Sequence, residues 1–157
     1  IDIVLIDGHQ MEVGKQIAQL AKLENIPVVI DGGSWKLGFS ELLPYIDYAI
    51  CSDNFYPPNC HNSQDVFVYL SAMGIPHIAI TRGEKSIEYL SNGHRGEIEI
   101  SKIKPVDTLG AGDIFHGAFC HYILQLSFAE ALAAAAKIAG YSCQFFGTRQ
   151  WMRSKIS

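Results

Sequence analysis

Short apolar runs rich in β-branched residues recur along the first half of the chain, each closed by a polar or glycine-containing turn. Ile3-Val4-Leu5-Ile6 ends at Asp7-Gly8, and Pro27-Val28-Val29-Ile30 ends at Asp31-Gly32-Gly33. A third run, Ile46 to Cys51, ends at Ser52-Asp53, and Ile78-Ala79-Ile80-Thr81 ends at Arg82-Gly83. Continuously apolar runs of this length predict strands of a parallel sheet covered on both faces. Between the first two, Met11, Val13, Ile17, Leu20, Ala21 and Leu23 recur near helical spacing over residues 11–24, and Gln64 to Met73 predicts another helix. Strands alternating with helices predict an α/β fold.

The pattern changes after residue 85. Ser86 to Leu90 and Glu97 to Ile100 flank Asn92-Gly93-His94-Arg95-Gly96, which predicts a β-hairpin. Two helices are expected near residues 112–126 and 128–145, the second opened by a Ser127/Glu130 capping box and ended by Gly147. No repeat, low-complexity tract or linker interrupts the chain. Residues 1–157 therefore read as a single domain, a three-layer αβα sandwich with a mostly parallel sheet and a hairpin.

Composition narrows the class. At 157 residues and 48% hydrophobic, the chain can bury a core without disulfide or metal support, and it is not disordered as a whole. A net charge of −4 offers no basic footprint, so nucleic acid is excluded as the main partner. No apolar run approaches the roughly 20 residues that span a bilayer, and the N-terminus has no signal-peptide pattern. Cys51, Cys60, Cys120 and Cys143 are widely spaced, with no C-x-x-C pair, and are expected as buried thiols of a cytoplasmic protein. His116 and Cys120 share a helix face, with His121 beside them, but no second ligand cluster accompanies them, so a core-edge histidine is expected rather than a metal site. Phe55-Tyr56, Phe145-Phe146, Trp35 and Trp151 are expected at the rim of the core, and Lys137 in solvent.

The polar residues at strand ends are the first candidate chemistry. Asp7, Asp31, Ser52-Asp53 and Thr81 all fall at carboxyl ends of predicted parallel strands, where open α/β sheets bind ligands. Singly, each reads as a helix cap or turn; their convergence favours a shared cleft.

The richest segment is Val106-Asp107-Thr108-Leu109-Gly110-Ala111-Gly112-Asp113, which runs into Ile114-Phe115-His116-Gly117-Ala118-Phe119. Gly110 and Gly112 let the backbone turn with several amides pointing one way. With the positive end of the following helix, those amides make an anion site. Asp113 in the first helical turn would repel a stored phosphate. Its presence is explained if a hydroxyl must lose its proton there while attacking a phosphoryl group held by the amides. On residue types alone, an N-cap aspartate after a glycine turn explains it as well. A P-loop, a G-x-G-x-x-G fingerprint and a G-x-S-x-G elbow are all absent.

The segment Asp107 to Asp113 resembles the D-T-x-G-A-G-D signature of the PfkB/ribokinase-like carbohydrate kinase family. Thr81-Arg82-Gly83-Glu84-Lys85 resembles the family's T-x-G segment ahead of the same hairpin, and Ala129 to Gly147 resembles its C-terminal helix and glycine turn near the adenine. The resemblance spans essentially the whole chain and implies a ribokinase-like fold and MgATP-dependent phosphorylation of a hydroxyl on a sugar or similar small molecule. It implies Asp113 as catalytic base and the backbone of Gly110, Ala111 and Gly112 as anion hole. Thr81, Gly83, Glu84, Gly147 and Asp31 fall at nucleotide-contacting positions. Asp107 and Leu109 fall where some members offer oxygens to a monovalent cation such as K+.

The sequence also departs from the family. The glutamate of its N-x-x-E segment is missing at Ser52-Asp53-Asn54-Phe55, which leaves Asp53, or water and nucleotide phosphates, to help with Mg2+. Complete members are about twice this length, and their sugar-binding half and β lid have no counterpart here. The chain, which starts at Ile1 without Met, thus reads as the nucleotide-binding and catalytic half of a kinase, not active alone. Two other readings stay open: a non-catalytic nucleotide-binding or regulatory module, and a kinase of nucleosides or vitamin precursors. The expected partners are ATP and a sugar-like substrate, with no membrane; a homo-oligomer stays open.

Overall fold

The computed structural model describes residues 1–154. The chain divides into two compact units, Ile1–Glu97 and the residues from Ile98 onward.

The first unit is built on strands β1 (Val4–Ile6), β2 (Val28–Gly32), β3 (Tyr48–Ser52), β4 (His77–Arg82), β5 (Lys85–Ser91) and β6 (His94–Ile98), which lie in the sheet in that order. β1 to β4 are parallel neighbours, in the registers Ile6↔Ile30, Gly32↔Cys51 and Ser52↔Thr81. Their carboxyl ends therefore share one edge. Val28, Val29, Ile30, Ala49, Ile50, Cys51, Ile78 and Ala79 are all fully buried. Uninterrupted apolar runs are the signature of strands whose side chains are buried on both faces.

Helix α1 (Met11–Leu23) packs by a face different from the one its large residues suggest. Its buried positions are Gly14, Ala18 and Ala21, while Val13, Ile17, Leu20 and Leu23 are exposed. A Cβ on Gly14 would lie 2.9 Å from Ile6 Cγ2, so the helix backbone lies close against β1. A short helix α2 (Phe39–Leu42) and a 3-10 turn (Leu43–Tyr45) follow. α3 (Ser63–Ala72) begins one residue earlier than the sequence pattern predicts, because Asn62 caps it by accepting the Asp65 amide at 3.0 Å. Trp35 joins Phe39, Phe55 and Tyr69 in an aromatic cluster with ring centroids 5.5 to 5.7 Å from its own. Phe55 is thus core rather than rim.

The hairpin is tighter than expected, and it is preceded by another. β4 turns directly into antiparallel β5 through Gly83-Glu84, pairing Arg82 with Lys85. β6 begins at His94 rather than Glu97, because Asn92 and Gly93 alone make the turn, with φ of 48° and 82°. Asn-Gly tolerates positive φ at both positions, the geometry that matches strand twist in two-residue hairpins.

In the second unit, α4 (Ala111–Ile123) and α5 (Phe128–Ser142) are joined by a short connection, with the Phe119 and Phe128 rings 5.8 Å apart. Both stop about three residues short of their predicted ends. The α5 capping box is present as expected: Ser127 accepts the Glu130 amide, and Glu130 accepts the Ser127 amide. Gly147 does not end α5; the helix closes at Cys143, and Gly147 lies beyond it with φ of +74°. A 3-10 turn (Gln150–Arg153) follows.

All four cysteines are buried and unbridged. His116 is also buried, with Nδ1 2.8 Å from the Gly112 carbonyl, and Lys137 is exposed. Among the described residues no helix is long and apolar enough to cross a membrane.

Candidate functional site

In the first unit, parallel pairing brings several strand-end residues to one sheet edge. Asp31 is the penultimate residue of β2, half-buried, and pairs with Ile50. Ser52 ends β3, and its hydroxyl donates to the Gly33 carbonyl at 2.6 Å while accepting the Asn54 amide at 3.1 Å. This hydroxyl ties the loop after β2 to the loop after β3, a role that no motif announced. Asp53 is exposed, with its amide donating to the Thr81 carbonyl at 3.0 Å. The Thr81 hydroxyl donates to the Cys51 carbonyl at 3.3 Å.

Gly83 and Glu84 form the exposed β4–β5 turn, with Gly83 at φ of +63°. Between Thr81 and Gly83, Arg82 looks available for an anion, yet its guanidinium is committed. It donates to Ser86 through Nε and Nη2 and pairs with Glu88 at 2.9 Å and Glu97 at 3.5 Å. Among the described residues no cluster of three or more His, Cys, Asp or Glu side chains could hold a metal. Asp53 is thus not part of such a cluster.

In the second unit, the glycine segment forms a turn running into a helix. Gly110 is the N-cap of α4, at φ of 72° and ψ of 9° in the left-handed region. The Ala111 amide donates to the Thr108 carbonyl at 3.2 Å, and the Ile114 amide to the Gly110 carbonyl at 2.9 Å. Among the described residues, no backbone acceptor takes the amides of Gly112 or Asp113, the donors that a helix start leaves over. A Cβ on Gly112 would meet nothing within 4 Å, so the side-chain side of this position is open. Asp113 is exposed in the first turn beside them. Helix-start amides at the positive end of α4 suit an anionic phosphate, and the adjacent carboxylate can take a proton.

Asp107 does something the sequence did not reveal. Its carboxylate accepts the Leu109 amide through Oδ1 and the Gly147 amide through Oδ2, each at 2.9 Å. These bonds, that of Leu109 the larger, hold its carboxyl below the ordinary carboxylate pKa. The structure thus brings Asp107 and Gly147 together, two residues that the resemblance placed in separate roles. Leu109 is exposed beside them.

Comparison with known proteins bears on the family and the fold. The sequence profile of the family described as pfkB family carbohydrate kinase matches residues 2–155. The ribokinase of Lactococcus lactis is 26% identical over 156 residues, covering 96% of this chain and 50% of that protein. The chain thus spans about half the length of that relative. The ribokinase of Arabidopsis thaliana, solved with ribose and ATP, superposes with a TM-score of 0.79 at 24% identity, covering 96% of this chain and 52% of that one. A ribokinase-like protein of E. coli, solved with ATP and Mg2+, superposes with a TM-score of 0.77 at 19% identity, covering 89% and 49%. These likenesses place the fold in the ribokinase-like α/β class.

Proposed function

Because the chain belongs to the pfkB family of carbohydrate kinases, we propose that it supplies the catalytic and nucleotide-binding part of an ATP-dependent kinase acting on a hydroxyl of a sugar or related small molecule. The observation that carries this reading is Asp113, exposed in the first turn of α4 beside two amides that have no backbone acceptor among the described residues.

MgATP, when bound, supplies the transferred phosphoryl group. Asp113 accepts the proton of the attacking hydroxyl as its oxygen bonds to the γ-phosphorus and the bond to the leaving ADP oxygen breaks. The turn at Gly110, Ala111 and Gly112, through the Gly112 and Asp113 amides and the helix dipole, offsets negative charge on the transferred group. Within the first unit, Thr81, Gly83, Glu84 and Asp31 are the residues assigned to the nucleotide; within the second unit, Gly147 is. Asp53 assists an Mg2+ held mainly by phosphates and water. We expect turnover from a protein of the relatives' full length rather than from these residues alone.

The test is Asp113→Asn in the complete protein carrying this sequence, assayed for ATP-dependent phosphorylation over a panel of sugars and nucleosides. Turnover should fall by about 10² to 10⁴, with ATP binding retained. Normal turnover in the variant would sink the assignment. A wild-type protein that binds ATP but phosphorylates nothing would favour a regulatory nucleotide-binding module.

A further inference from the structure

The turn that carries Asp113 is held at its base by residues outside the turn. Val106 and Asp107 both donate their amides to the Cys143 carbonyl, at 2.8 and 3.1 Å. That carbonyl sits at the C-cap of α5, where helix geometry leaves acceptors without intrahelical partners. The Asp107 carboxylate then bridges two further amides, Leu109 within the turn and Gly147 forty residues on. Immediately after Gly147, Thr148 packs its methyl where a Gly110 side chain would lie.

We infer that Asp107 is a positioning residue, its carboxylate clamping the Leu109–Gly110 turn to the segment that leaves α5 and so aiming the first-turn amides and Asp113. This rests on the kinase reading of Asp113. A carboxylate suits the task because it accepts on both oxygens, whereas an asparagine amide presents one acceptor and one donor. In Asp107→Asn, one of the two amides would meet an NH₂ group instead of an oxygen. The turn would stay folded but no longer be held from both sides. A misplacement near 1 Å at a reacting centre can cost about a hundredfold in rate.

The experiment combines kinetics with amide hydrogen exchange on the complete protein. Asp107→Asn should lower kcat by about ten- to a hundredfold, with KM for ATP changing far less. Asp107→Ala should lose exchange protection at Leu109 and Gly147, while amides in the middle of α5 keep theirs. Ser127→Ala, which removes only the α5 cap, should leave kcat unchanged, separating positioning from general stability. If Asp107→Ala fails to fold, exchange in Asp107→Asn is read instead, with protection lost at one of the two amides. Wild-type kcat in folded Asp107→Asn, or unchanged protection at both amides, overturns the clamp. A wild-type protein without phosphoryl transfer takes down the kinase reading, while the exchange measurement still decides whether the carboxylate holds the two segments together.

Discussion

Thr148 occupies the space that a side chain on Gly110 would need: a Cβ built on Gly110 would lie 2.9 Å from Thr148 Cγ2. Gly110 also holds φ at +72°, where only glycine is unstrained. Gly110→Ala should therefore carry two separable costs, about 1–2 kcal/mol for the left-handed backbone and about 1–3 kcal/mol for the overlap. The double variant Gly110→Ala/Thr148→Ala should recover the overlap part and leave the backbone part. Urea unfolding with unchanged m-value measures both. Strictly additive effects of the two substitutions would show that the contact has no energetic weight.

The buried thiols should be chemically silent in the folded protein. Burial pushes the Cys51 thiol far above its ordinary pKa, with Asp31 adding to the effect, and pushes Cys120 up to about 11. Thiolate is the reactive form, so both should resist alkylation near neutral pH until the chain unfolds. Iodoacetamide labelling followed by mass spectrometry, with and without denaturant, reads this directly. Alkylation of Cys51 in the native protein at the unfolded rate would contradict the burial. Gly32 shares this pocket, since a Cβ there would lie 2.6 Å from Cys51 Sγ.

His77 should make stability depend on pH in one direction. Its ring stacks on Tyr48 at 5.0 Å, and Nδ1 lies 2.9 Å from Ser91 Oγ. Burial lowers its pKa, against a smaller opposing pull from Asp47. The unfolded chain takes up this proton near pH 6.5, the folded chain only at lower pH, so between those values the unfolded state binds more protons. The neutral ring's full contribution is present above about pH 6.5 and declines as pH falls toward the folded pKa. The urea midpoint should drop more between about pH 7.5 and 5.5 in the wild type than in His77→Gln. Equal slopes would show that the ring titrates alike in both states.

The strand ladder was legible because apolar runs closed by Asp, Ser and Gly repeat along the chain, and each predicted parallel strand lies within two residues of its expected place. The hairpin was legible as a kind of element but not in its bounds. Five residues of turn character run from Asn92 to Gly96, and only the positive φ values show that the first two of them suffice. α1 was legible as a helix, but its buried face was not. Its large apolar residues mark a periodic stripe, but the Ile6 side chain comes so close at Gly14 that small residues form the buried face.

For the site, the order of residues from Asp107 to Asp113 determined a glycine turn, a helix start and an acid in its first turn, since each depends only on local backbone preferences. The strand-end position of Asp31, Ser52 and Thr81 followed equally from local pattern. Which amides stay free and which carboxylate is already committed could not be read there. Asp107 meets Gly147, and Gly110 meets Thr148, across separations that no periodicity encodes. Hydrogen bonds between distant segments depend on where helices end and how the chain returns. Only the folded structure therefore decided that the Asp107 carboxylate accepts the Leu109 and Gly147 amides.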